Sequence, residues 1–257
     1  MADGGGGHRR ARSVVSARKS SGRVDAAVGE LARRYSLPSG SEQAFVALID
    51  LLARDEHAPT SVRDPRAVVD AHLADSLVAL ELPEVRRARV IADVGSGAGF
   101  PGLPLAVALP QARVALVESN ARRAAFLERA AAATGSARAR VVNARVEEWE
   151  EGLGANDLVV VRALAPLPVV AEYAAPLLAL GGAVVAWRGR RDDEAERAAA
   201  RAAADLGLEP AEPRRVAPYP GAEHRYLHLM SKVRETPARF PRRAGMALKR
   251  PLGAERR

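Results

Sequence analysis

The stretch ARVIADVGSGAGFPG, residues 88–102, decides how this chain folds. Its first seven residues are β-rich and run straight into glycines at 95, 97 and 99, and the residues after Pro101 take up helical spacing. Strand, tight glycine turn and helix together expose bare backbone and unpaired helix N–H groups to a ligand. The spacing is G-x-G-x-G. A dinucleotide fingerprint would need glycine at position 100, which is Phe100. Asp93, two residues ahead of Gly95, would repel a pyrophosphate but suits a cationic ligand. S-adenosylmethionine carries an ammonium and a sulfonium and no phosphate, so the loop reads as a site for that cofactor. A second acid, Glu118, ends the next strand pattern, where a carboxylate accepts from both ribose hydroxyls. The third strand pattern ends in Asn143-Ala144-Arg145-Val146-Glu147, a position suited to the adenine edge.

Working outward, short β-rich runs at 88–94, 112–118, 139–143, 157–163, 182–188 and 224–230 alternate with helical patterns near 102–109, 120–133, 168–179 and 192–205. This alternation predicts an α/β fold, a doubly wound, mostly parallel sheet covered on both faces. Ahead of it, three apolar stripes at helical spacing (Val24 to Leu31, Phe45 to Leu52, Val68 to Leu80) predict a small helical cap. The chain thus divides into a disordered basic tail (1–22), a helical cap (23–84), the main domain (85–232) and a basic, extended C-terminal arm (233–257).

Charge follows this division. Residues 1–22 hold five Lys or Arg against one acid and residues 232–257 hold nine against two, whereas the stretch between has 25 basic and 28 acidic residues. Basic arms on a near-neutral body suit a polyanion such as nucleic acid. The absence of cysteine excludes disulfides, cysteine-rich zinc sites, iron–sulfur clusters and a cysteine nucleophile. His224 and His228 have no acids or cysteines clustered with them, so no metal site is expected. Trp149 and Trp187 read as packing residues. With no long apolar run and no apolar stretch in MADGGGGHRR, neither a membrane helix nor a secretory signal is expected, and the predicted location is the cytoplasm.

Several motifs together resemble the RsmG (GidB) family of bacterial methyltransferases of small-subunit ribosomal RNA. They are His72-Leu73-Ala74-Asp75-Ser76, the run Asp93 to Pro104, Glu118-Ser119 with Arg122, Arg123, Phe126 and Leu127, Arg145-Val146-Glu147, Arg162-Ala163, and the closing FPRRAGMALKRPL. The resemblance covers about residues 43–252. It implies a class I methyltransferase fold with seven strands in the order 3-2-1-4-5-7-6 and the last strand antiparallel. It also implies methylation of N7 of one guanine in the 530 loop of 16S rRNA, with S-adenosylmethionine as donor and the rRNA or the 30S subunit as partner of a monomeric enzyme. Position by position, it puts Gly95, Phe100, Val146, Glu147 and Arg162 at the cofactor, beside Asp93, Gly97, Gly99 and Glu118 from the loop reading. Two family features are altered: LLARDEHAPTSVRDP keeps only Thr60 of a Trp-Asn and Asn-Leu-Thr pattern, and Arg188-Gly189 replaces a Lys-Gly pair.

The residue inventory agrees with that target. Methylation of a pyrimidine carbon 5 needs a cysteine. Ribose methylation in this fold commonly relies on core lysines, and the three lysines lie in or beside the tails. Exocyclic amines are usually held by an Asn/Asp-Pro-Pro-aromatic segment, where this chain reads Arg162-Ala163-Leu164-Ala165-Pro166. Guanine N7 loses no proton on methylation, so alignment and electrostatics suffice. Arg162, Asp75 and His72 are the candidates to assist the chemistry, and Asp75 or Glu147 would steady the cationic product. Rival readings are a methyltransferase acting on another RNA or a small molecule, a non-catalytic RNA-binding protein with this fold, and a dehydrogenase.

Overall fold

The computed structural model describes residues 22–254. The basic tail expected over 1–22 lies, except for Gly22, outside the described residues. The chain opens with α1 (22–35) and α2 (Ser41–Arg54). A continuous helical run, α3, follows: an α-turn Pro65–Val68, a π-helical turn Val69–Ala74, and Asp75–Leu77 tightening into a 3-10 turn Val78–Glu81. Its start is explicit in the sequence, because Asp64 accepts from Ala67 N (2.8 Å) and Pro65 needs no N–H partner there. After α4 (Pro83–Arg87) come β1 (Val90–Val94), α5 (Gly102–Ala108), β2 (Arg113–Val117), α6 (Ala121–Ala133) and β3 (Ala139–Val142). The second half holds β4 (Asn156–Arg162), α7 (Leu167–Ala174), β5 (Leu178–Arg188), α8 (Asp193–Leu206), β6 (Leu208–Pro210), β7 (Arg214–Arg215), β8 (Tyr226–Lys232) and α9 (Met246–Lys249).

The sheet runs β3-β2-β1-β4-β5-β8-β6, parallel from β3 to β5, with β8 antiparallel to β5 and β6. This is the expected order once the two-residue β7, which pairs with β8, is set aside; with it the sheet has eight strands rather than seven. The order reverses between β1, which turns to β2, and β4, so a crevice opens above the carboxyl ends of those strands.

Strand parity splits the core into two layers. Ile91, Leu116 and Phe126 share one layer with Val28, Phe45 and Leu73, so the cap continues the main core and the boundary read at 84/85 is not a boundary in packing. Ala92, Val94 and Val159 face the other layer with α7, α8 and α9.

The reading of 233–257 as an extended arm is corrected over its described part. Phe240 and Ala247 are buried in the second layer. Arg242 grips the buried Glu172 of α7 with two hydrogen bonds, Nε to Oε1 at 2.6 Å and Nη2 to Oε2. Gly245 N donates to Glu147 Oε1 (2.8 Å), and Gly253 O accepts from Arg201 Nε (2.8 Å). The arm has no periodicity because isolated anchors hold it rather than a helical or strand face. Lys232, counted with the tail from sequence, is buried at the end of β8, where its Nζ donates to Ala175 O (2.7 Å) and Leu178 O (3.1 Å).

Candidate active site

The glycine turn sits at the carboxyl end of β1. Gly95, Gly97 and Gly99 have φ of +74°, +57° and +93°, the left-handed region that only glycine enters freely. Gly95 N and Ser96 N bond to Val117 O (2.9 and 3.1 Å), tying the turn to β2. A Cβ on Gly95 would lie 2.7 Å from Leu164 Cδ1, whereas one on Gly97 would meet nothing closer than Gly95 O at 3.8 Å. Gly97 therefore presents bare backbone to open space. Behind it lies Glu118, buried, with Oε2 accepting from Gly97 N (3.1 Å) and Oε1 from Asn120 N (2.8 Å). Asn143 Nδ2 donates to Glu118 O (2.8 Å), so the end of β3 braces the same residue.

Asp93 does something other than the sequence reading gives it. It is 1% exposed, its Oδ2 accepts from Gly102 N (2.9 Å) at the start of α5, and its Oδ1 has no partner. Burial pushes its carboxyl up to about 6, against the hydrogen bond from Gly102. By strand alternation Asp93 points to the same face as Ile91, into the layer under α5, and it does not line the cavity. It shapes the turn from beneath.

Opposite the turn, α3 brings His72, in its π-helical stretch, and Asp75, directly after it, over the end of β4. Arg162, the last residue of β4, donates from Nη1 to Ala71 O (3.0 Å) and Asp75 Oδ2 (3.0 Å), and its Nη2 lies 3.3 Å from His72 Nδ1. The His72 ring stacks on Phe100 with centroids 4.5 Å apart, and the Arg162 guanidinium lies 5.5 Å from the same ring. Burial, reinforced by the charge of Arg162, pushes His72 down to about 4, so the ring is neutral at pH 7. Asp75 has a second cation near it, Arg225 Nε, 3.3 Å from Oδ1, and its carbonyl accepts from Trp187 Nε1 (2.6 Å). Between the turn and this cluster lies a cavity of about 540 Å³, with Arg123, Arg162, Arg188 and Arg225 on its walls against the single acid Asp75.

Of the predicted residues, the structure brings His72, Asp75, Gly95, Gly97, Phe100 and Arg162 to one cavity. Gly99 and Glu118 support the turn from behind. Val146 and Glu147, on the 3-10 turn after β3, are not on that cavity: Val146 packs on the second apolar layer, and the Glu147 carboxylate is held by Gly245. Thr60 and Arg225 are cavity residues to which the sequence reading gives no role. The antiparallel last strand was the available signal for Arg225, because pairing Arg188 with Tyr226 delivers its neighbour to the cavity rim. Among the described residues no three His, Cys, Asp or Glu side chains gather as a metal site, and no helix is long and apolar enough to cross a membrane.

The family model for rRNA small subunit methyltransferase G (GidB) matches residues 41–213. Over 254 residues the chain is 40% identical to the ribosomal RNA small subunit methyltransferase G of Rubrobacter xylanophilus, covering 96% of this chain and 95% of that one. The corresponding protein of Desulfitobacterium hafniense is 38% identical over 196 residues, 75% of this chain and 81% of its own. Among solved structures, a SAM-dependent O-methyltransferase from Thermotoga maritima superposes with a TM-score of 0.51 at 18% identity, covering 73% of this chain and 72% of that one. That likeness shows the fold, the doubly wound sheet of class I methyltransferases. The chain belongs to the rRNA small subunit methyltransferase G (GidB) family.

Proposed function

We propose that this protein transfers a methyl group from S-adenosylmethionine to N7 of a guanine in the 530 loop of 16S rRNA. One observation carries the reading: the cavity joins a bare glycine turn to an arginine-rich wall, and Asp75 and His72 on that wall are both held by Arg162. Asp75 is ion-paired with Arg162, and His72 is neutral and hydrogen-bonded through both ring nitrogens. A site of this kind can align and hold charge, and N7 asks for nothing else.

The residues present fit the cofactor. Open space above Gly97 leaves room for a ligand that a Cβ would displace, and the carboxylate of Glu118 stands next to it for the ribose hydroxyls. When bound, S-adenosylmethionine supplies a methyl group on a positively charged sulfur; N7 accepts it with its in-plane lone pair and loses no proton. The chain's own part is positioning. Gly97 admits the ligand to the backbone on a turn that Gly95 and Gly99 shape; Val146 and Glu147, off that cavity on the 3-10 turn after β3, are put at the cofactor by the family resemblance alone. Arg162 locks α3 to β4 so that Asp75 faces the base, where its carboxylate steadies the charge that N7 acquires. Arg123, Arg188 and Arg225 stand where RNA phosphates would arrive. The reading implies a cytoplasmic monomer acting on 16S rRNA or the 30S subunit.

The test is transfer itself. Subunits lacking the modification, incubated with the protein and methyl-labelled cofactor, should take label into 16S rRNA; label only in protein or small molecules, or RNA binding without label, contradicts the proposal. Glu118→Ala should weaken cofactor binding by about 1–3 kcal/mol, the range for losing a charge-assisted hydrogen bond. Calorimetry that finds the affinity unchanged removes the ribose assignment.

A further inference from the structure

One hydroxyl on the cavity wall is arranged by its neighbours to give a hydrogen bond. Thr60 sits in the turn between α2 and α3, a turn that Arg63 organises by donating to Asp55 O (2.7 Å) and Ala58 O (3.3 Å). The Thr60 Oγ1 accepts from Val62 N (3.1 Å) and lies 2.9 Å from His72 Nε2. Which of the last two donates depends on where the imidazole proton sits.

The surroundings of the other ring nitrogen decide this. Arg162 Nη2, 3.3 Å from Nδ1, can only donate. The alternative acceptor for an Nδ1 proton is Ala71 O at 3.1 Å, and that carbonyl already receives Arg162 Nη1 at 3.0 Å. A proton on Nδ1 would face a guanidinium N–H and gain only a second share of a carbonyl already bonded. Nδ1 is therefore the acceptor, and Nε2–H donates to Thr60. With Val62 N–H and His72 Nε2–H occupying both lone pairs of Oγ1, the unused element of Thr60 is its hydroxyl proton, on a side chain that lines the cavity.

We infer that Thr60 donates this proton to O6 of the target guanine and is the residue that tells guanine from adenine, with His72 and Arg162 as its positioning residues. The inference rests on the function proposed above. Both purines offer N7, so alignment of N7 alone cannot separate them. They differ at the neighbouring atom, where guanine has the O6 acceptor and adenine an amino donor. A fixed donor pairs with the first and leaves both groups unpaired with the second.

The test uses 30S subunits assembled on 16S rRNA whose target base is guanine or 2-aminopurine, which keeps N7 and lacks O6. Single-turnover transfer is followed for wild type, Thr60→Ser and Thr60→Val, with melting and cofactor calorimetry on each variant. Wild type and Thr60→Ser should be about tenfold slower on 2-aminopurine, the cost of one neutral hydrogen bond. Thr60→Val should be about tenfold slower on guanine and lose nothing further on 2-aminopurine. A Thr60→Val enzyme that discriminates like wild type, or that matches it on guanine, overturns the inference. So does a wild-type or Thr60→Ser enzyme indifferent to O6, a result independent of whether the valine variant folds. If wild type puts label on no guanine N7, the functional proposal fails; if it labels N7 and Thr60→Val keeps its discrimination, only this inference fails.

Discussion

Arg162→Ala should lower the single-turnover rate of methyl transfer by about 10²- to 10³-fold, the loss seen when a fixed charged or polar group is taken from an enclosed reaction site. The guanidinium has three partners on α3, namely Ala71 O, Asp75 Oδ2 and His72 Nδ1, so its removal frees the wall that carries all three. It also leaves the buried carboxylate of Asp75 facing only Arg225, whose Nε lies 3.3 Å from Oδ1 and makes no aligned hydrogen bond to it. Unpaired buried charge is costly, so α3 should shift. That shift takes the carboxylate away from the place we propose for it beside N7. Arg162→Lys should not restore activity, because a single ammonium cannot reach three acceptors that a planar fork spans. Transfer by the lysine variant at the wild-type rate would show that Arg162 acts only as a positive charge.

The second large effect is on stability and lies far from the chemistry. Arg242→Ala strips the partner from Glu172, which is 2% exposed on α7. Breaking a buried pair on one side costs about 3–5 kcal/mol, and the lower end applies because Arg242 keeps 23% of its side chain in water. At about 2–4 °C per kcal/mol for a chain of this size, the melting temperature should fall by roughly 6–12 °C. Glu172→Leu in the same background should recover part of the loss, since the uncompensated charge goes with it. A melt unchanged by Arg242→Ala would mean that the arm is a loose appendage, as its sequence suggests. The pairing also means that removing residues 236–257 takes away more than positive charge: it unpairs Glu172 and releases the Glu147 carboxylate from Gly245.

What the sequence made legible was whatever is encoded within one element. The run from Val90 to Gly102 announces strand, turn and helix, because each of the three glycines is needed for positive φ. The helical patterns near 120–133 and 192–205 are α6 and α8, which the structure shows capped by Asn120 and Asp192, accepting from Arg122 N (3.0 Å) and Ala195 N (3.0 Å). Three-residue β6, which ends in Pro210, gives no such signal; its pairing with β8 makes it a strand. Asp93 was misread because an acid before a glycine turn looks the same whether it points into the crevice or beneath it, and only the side on which α5 packs distinguishes the two. Arg225 and Thr60 reach the cavity from opposite ends of the chain, and each is brought there by register or by a turn that the local pattern does not specify. The C-terminal arm was misread for the converse reason, since its partner Glu172 looks like a surface acid until α7 is laid on the sheet.

The most direct test of the account is the position of the new methyl group. Subunits carrying unmodified 16S rRNA, treated with the protein and S-adenosylmethionine, should acquire chemical cleavage specific to N7-methylated guanine at one nucleotide of the 530 loop, and none without the cofactor. A methyl group found on a ribose, on an exocyclic amine or on a base outside that loop would contradict it.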